Sequence, residues 1–194
     1  MSTHVAVDES MVLFKGKSSA TIAAPCKPIK KGFKIFTMCD SKTKHMNNFS
    51  VYIRKKGEKG LTKKAVMDLC KPIFFTNRVI YVDKFHTSIP LALHLLQKDL
   101  YICGSFDIRR KHWPETLKDK TLKNLERGEH KALSSEDNTL LATVWKDSTL
   151  VSNLTTAFGN ETSSTKRRNK QKRHVKEDVS APLALVEFGK HMGG

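Results

Sequence analysis

Two aspartates stand where a chain could do phosphoryl chemistry. Asp8 lies inside the apolar run Val5 to Phe14, and Asp83 closes the short run Val79-Ile80-Tyr81-Val82. If the two runs are neighbouring strands, the carboxylates meet, and such a pair can bridge divalent ions about 4 Å apart. Mg²⁺ suits them, being a hard cation that takes oxygen ligands and keeps waters and a substrate phosphate in its shell. One ion would activate water or a 3′-hydroxyl while the other stabilises the leaving oxygen. An Asp at a strand end also serves simply as a helix cap or a solvated turn. Spacing alone leaves both readings open.

Charge points to the substrate class. The 194 residues carry 35 Lys and Arg against 19 Asp and Glu, a formal net charge of +16. That exceeds what solubility needs and implies a polyanionic partner, with nucleic acid the first candidate. An anionic membrane surface competes poorly, because no stretch approaches about 18 apolar residues and no long basic amphipathic helix is visible. The densest run holds six basic residues, Lys166, Arg167, Arg168, Lys170, Lys172 and Arg173. It reads as a solvated loop, a nuclear-import segment or a phosphate-contacting loop. Met1 to Val12 contains Asp8 and Glu9 and has no basic start followed by an apolar run, so no secretory signal is expected and the chain is placed in the nucleus or cytosol. Cys26, Cys39, Cys70 and Cys103 are spread singly, which argues against a zinc module or a disulfide framework and for reduced, packed thiols.

The elements that must position the aspartates follow from periodicity. Val5 to Phe14 reads as a first strand, Gly32 to Cys39 and Asn48 to Ile53 as its antiparallel neighbours. Leu61, Ala65, Leu69 and Ile73 recur every four residues, a helix with Thr62 near its start and Pro72 near its end. Val79 to Val82 reads as a strand buried on both faces, followed by a helix with Ser88 as N-cap and Pro90 in its first turn. Leu100 to Gly104 is a further strand. Three antiparallel strands, then helix, strand, helix, strand, is the order of a ribonuclease-H-like α/β fold. Thr139 to Trp145 and Leu150 to Thr156 read as a β-hairpin in an inserted element, and Pro182 to Met192 as a helix. Trp113 and Trp145 could stack on bases, although Trp145 sits in an alternating strand that suggests core.

Several of these segments, in this order, resemble the catalytic domain of piggyBac-type DNA transposases: Val7-Asp8-Glu9-Ser10-Met11, Lys27-Pro28-Ile29-Lys30 with Gly32-Phe33-Lys34, and Tyr81-Val82-Asp83-Lys84-Phe85-His86-Thr87-Ser88. Leu100-Tyr101-Ile102-Cys103-Gly104-Ser105, the hairpin from Lys131 to Thr156 and Lys190-His191-Met192-Gly193-Gly194 continue the match over essentially the whole chain. The resemblance implies a nuclear, homodimeric enzyme that cuts and rejoins DNA by Mg²⁺- or Mn²⁺-dependent strand transfer around four aspartates. Asp8 matches the first of these and Asp83 the second. The family's last two follow its Met-Gly-Gly in the pattern Val-Asp-x-x-Asp, so the chain is expected to be inactive alone, with weak metal binding and without the later helices of the fold.

On this reading, 1–108 is the first part of the catalytic domain and 109–160 the inserted β-hairpin element. Residues 161–181 are a basic polar linker, and 182–194 begin the C-terminal helical part. The chain departs from the family at Lys31 (usually Trp), Lys84 (Asn), His86 (Phe) and Asp107, near which the family places a DNA-contacting Arg. An acid there would repel phosphate. His86 is either a metal ligand beside Asp83 or a ring filling the Phe position. The alternative function is a host-retained nuclear protein that still binds DNA without cutting it.

Overall fold

Alternation in the sequence predicts a strand that carries Asp8, and the computed structural model, which describes residues 1–25, 27–53, 60–169 and 174–192, places it at the centre of one large sheet. Strand β1 (His4–Leu13) pairs antiparallel with β3 (Lys31–Asp40), which carries the short β2 (Ile22–Ala23) and β4 (Met46–Val51) on its far edge. On its other side β1 runs parallel to β5 (Arg78–Val82), and β5 parallel to β6 (Leu100–Ser105). The connections are helices α1 (Leu61–Cys70) and α2 (Ile89–Leu96), as parallel pairing requires. Ser88 caps α2, its Oγ accepting from Leu91 N at 3.3 Å. This is the mixed α/β sheet of a ribonuclease-H-like fold.

The period of two divides the sheet into faces. Val5, Val7, Phe36, Met38, Ile80, Val82 and Ile102 point to one side and are buried beneath Val66, Leu69, Leu91 and Leu95 of the helices. Each such side chain contributes on the order of 1.5–3 kcal/mol. The opposite face carries Tyr81 and Cys103, packed against Ala184 and Phe188 of α3 (Leu183–His191). Next to them on that face, over β1 and β3, stand the smaller and more polar Ala6, Asp8, Ser10 and Thr37.

The hairpin expected within 109–160 is present and is joined to the main sheet. After β7 (His130–Ser134), strands β8 (Leu141–Lys146) and β9 (Leu150–Thr155) extend the main sheet, because β9 pairs antiparallel with β6, Cys103 opposite Thr155. Without β9, the ladder groups of β6 would stand open at an edge. The supposed linker 161–181 contains a second sheet, β10 (Thr162–Arg168) against β11 (Lys176–Pro182). Its polarity is one-sided: Val179 and Ala181 bury against Trp145 and Leu185, while Lys166 and Arg168 face outward. Trp145 is core, 2% exposed, with Nε1 donating to Ser180 O at 2.8 Å. Trp113 is also buried, stacked on Phe106 at 4.7 Å between centroids. Neither ring is open to a base. Cys39, Cys70 and Cys103 are free thiols, and burial pushes those of Cys70 and Cys103 up to about 12. Cys26 lies outside the described residues. No helix among the described residues is long and apolar enough to cross a membrane.

Candidate functional site

The register of the parallel pair makes the aspartates near neighbours along the backbone. Val7 lies opposite Val82, and the next residues are Asp8, midway along β1, and Asp83, just past the end of β5. Asp8 is exposed, and its Oδ1 accepts from Glu9 N at 2.7 Å. Asp83 is half-buried and organises a turn: Oδ1 accepts from Phe85 N at 3.1 Å and His86 N at 3.2 Å, while its carbonyl accepts from Thr87 Oγ1 at 2.7 Å. Arg110 closes the turn from below, donating to Thr87 O at 2.6 Å and Phe85 O at 2.9 Å. Gly104 lets β6 approach, since a Cβ there would stand 2.3 Å from Thr87 Oγ1 and 2.8 Å from Val82 O.

Glu9, on the opposite face of β1 from Asp8, ties the two aspartate segments together. It pairs with Lys34 and with Lys27 at 3.0 Å. Burial pushes the Glu9 carboxyl up, but hydrogen bonds and charge from Lys34 and Lys27 outweigh it and hold the group below its usual range. The Lys34 ammonium lies 4.6 Å from the ring centroid of Phe85, 5.3 Å from Phe36 and 5.9 Å from Tyr52, each a favourable cation–π geometry. One lysine of the Gly-Phe-Lys segment thus joins the residue after Asp8 to the turn that begins at Asp83. Sequence reading quoted that segment without a role for it, and gave no signal for Arg110.

His86 is the ring that fills a core position. It is 1% exposed and meets Phe36 and Phe85 edge-on at centroid distances of 5.4 and 5.1 Å. Neither ring nitrogen has a hydrogen-bond partner. Burial lowers its pKa, against the raising influence of Asp83, Glu9 and Asp8. At the other end of the site α3 arrives beside β1: His191 stacks on His4 at 4.0 Å, and His191 and Met192 share a cleft of about 210 Å³ with Asp8, Thr37 and Asp40.

The donor set fits a hard divalent ion. Asp8 and Asp83 each have one oxygen held by backbone amides, and Oδ2 of each has no hydrogen-bond partner among the described residues. Carboxylate oxygens fixed in this way are the ligands that Mg²⁺ or Mn²⁺ takes. No group of three or more metal-ligating side chains occurs among the described residues, so the pair supplies only part of a coordination sphere.

The basic run is divided by its strand. Lys166 and Arg168 are exposed, but Arg167 turns inward, 3.6 Å from Asp147 and with its guanidinium 5.6 Å from the Trp145 ring. Lys170, Lys172 and Arg173 lie outside the described residues. Asp107 is already neutralised, taken by Arg109 through bonds of 2.9 and 2.7 Å.

The pattern of the family described as Transposase IS4 matches residues 1–194. The chain belongs to this transposase family. Over 99% of its length it is also similar, at 28% sequence identity and a TM-score of 0.79, to a piggyBac transposase solved by cryo-EM as a synaptic complex with hairpin DNA. It spans 38% of that chain. The fold and the order of segments make it a piggyBac-like transposase domain, a family whose members use divalent metal ions and act on DNA.

Proposed function

We propose that this piggyBac-like transposase domain contributes Asp8 and Asp83 to a divalent-metal centre for DNA strand cleavage and transfer. The observation that supports the reading is the Val7–Val82 register, after which Asp8, midway along β1, and Asp83, just past the end of β5, come next on neighbouring segments. Mg²⁺ or Mn²⁺ held there would activate a hydroxyl and stabilise the leaving oxygen. The chain's own part is positioning: the Asp83 turn fixes one carboxylate oxygen, Glu9 N fixes one of Asp8, and Lys34 couples the two segments.

DNA is held through Lys and Arg contacts with phosphates, among them the exposed Lys166 and Arg168. A nuclear location and a homodimer belong to the same reading, both from the family resemblance. With two carboxylates at the site among the described residues, the chain on this reading binds metal weakly and does not cut by itself.

The test is strand cleavage of DNA bearing piggyBac-like ends. The 194-residue chain should leave it intact. A version extended through Val-Asp-x-x-Asp should cleave with Mg²⁺ and lose cleavage on Asp8→Asn or Asp83→Asn. Cleavage by the unextended chain that vanishes on Asp83→Asn would refute the need for further carboxylates. Cleavage by the extended version that survives both substitutions would refute the assignment of the pair.

A further inference from the structure

Asp83 is held by two amides, and one of them has a cation behind it. The N–H of His86 donates to Asp83 Oδ1 at 3.2 Å. The carbonyl of the same peptide unit, Phe85 O, accepts from Arg110 Nη2 at 2.9 Å. The other arm of the guanidinium, Nη1, donates to Thr87 O at 2.6 Å. Arg110 thus grips two carbonyls of one turn in its planar fork, a geometry that a single ammonium cannot reproduce. Asp107 is taken by Arg109, and no carboxylate pairs with Arg110 among the described residues.

We propose that Arg110 is a positioning residue for Asp83, acting on the carboxylate through the peptide unit between Phe85 and His86. The inference rests on the divalent-metal reading and adds to it the residue that keeps one ligand aimed. Three features support it. Guanidinium, carbonyl, amide and carboxylate form one unbroken series, and a carbonyl that accepts from a cation makes the N–H of its own peptide the stronger donor.

The inner half of the turn is also closed to solvent, with His86 1% and Thr87 0% exposed. A buried carbonyl needs a donor, and Arg110 supplies one to Thr87. Lastly, the turn occupies one oxygen only. Oδ1 accepts from Phe85 N and His86 N, while Oδ2 has no hydrogen-bond partner among the described residues, the division that suits a carboxylate ligating an ion through its other oxygen. Arg109 and Arg110 are adjacent and alike in sequence, so no local pattern marks the second. The fold separates them, Arg109 onto Asp107 at the surface and Arg110 under the turn.

The experiment compares the 194-residue chain with Arg110→Gln and Arg110→Lys, by amide hydrogen exchange without metal and by Mn²⁺ binding in electron paramagnetic resonance. Arg110→Gln should speed exchange at Phe85 and His86 about tenfold, while Val79, bonded to Thr3 O at 2.9 Å, keeps its rate. It should also weaken Mn²⁺ binding about tenfold. Arg110→Lys keeps the charge without the fork and should fall between the two. A cation that merely stood near the ion would act the other way, because its removal favours a dication. Unchanged or tighter Mn²⁺ binding in Arg110→Gln, or unchanged exchange at His86, would overturn the proposal and leave the metal reading intact. If Arg110→Gln does not fold, Arg110→Lys decides, weaker binding supporting the proposal and unchanged binding overturning it. Failure of the wild-type chain to bind Mn²⁺ at any concentration would overturn the metal reading and the proposal with it.

Discussion

His86 sits 1% exposed under the Asp83 turn with neither ring nitrogen hydrogen-bonded. Its pKa lies below the ordinary 6.5 because burial disfavours the charged ring. Below about pH 6.5 the unfolded chain takes up a proton that the folded chain refuses, so stability falls with pH until the folded-state pKa is reached. His86→Phe removes both the unpaired nitrogens and the titration. Thermal melts should show the variant more stable by on the order of 1 kcal/mol at pH 7, with a gap that widens towards pH 5; a gap that narrows would contradict this.

Lys34 gives a second prediction at the same scale. Lys34→Met leaves Glu9, whose side chain is 18% exposed, without one of its two cations. Denaturant unfolding should show a loss of about 1–3 kcal/mol, with Lys34→Arg recovering part of it. A loss under about 0.5 kcal/mol would mean that Lys27 alone satisfies the carboxylate.

At the scale of elements, Gly104 is where a strand, a turn and a helix start meet. A Cβ would stand 2.3 Å from Thr87 Oγ1 and 2.8 Å from Val82 O, the latter backbone that cannot swing aside. Gly104→Ala should therefore cost about 1–3 kcal/mol and speed amide exchange at Phe85 and His86, whose N–H groups bond the Asp83 carboxylate. Unchanged exchange would show that the turn tolerates the methyl. Strands β1, β3, β5 and β6 and helices α1 and α2 were legible because alternation and fourfold spacing are local signals. The partner of β9 was not, since nothing local in Leu150 to Thr155 says that it will add to β6 and not stand apart. The β10–β11 pair was hidden by composition: Thr165, Arg167, Val179 and Ala181 supply its inward face, and only the fold reveals that Arg167 lies over Trp145.

For the molecule as a whole, the net charge pointed to a polyanionic partner, and the resemblance pointed to Asp8 and Asp83, whose preceding residues Val7 and Val82 are paired in the β1–β5 register. What sequence could not rank was the cations, because their use depends on which neighbour each meets: Arg167 is spent on Asp147 and Arg109 on Asp107, while Lys84, Lys120 and Lys123 are not ion-paired. The outer edge also carries a liability. Met46, Phe49 and Val51 of β4 are exposed at 47%, 59% and 43%, on a strand at the sheet's margin, a template for pairing with other chains. The chain should bind a hydrophobic dye and associate as concentration rises, and Phe49→Lys should reduce both; association unaffected by Phe49→Lys would place the sticky surface elsewhere.

The central claim is that Asp8 and Asp83 act as one metal-holding pair, and a titration of the chain with Mn²⁺ followed by electron paramagnetic resonance tests it most directly. The pair predicts weak, saturable binding that is lost in Asp8→Asn and equally in Asp83→Asn, with the melting temperature of the metal-free chain little changed. Binding that survives either substitution, or no binding by the wild type at any Mn²⁺ concentration, would contradict it.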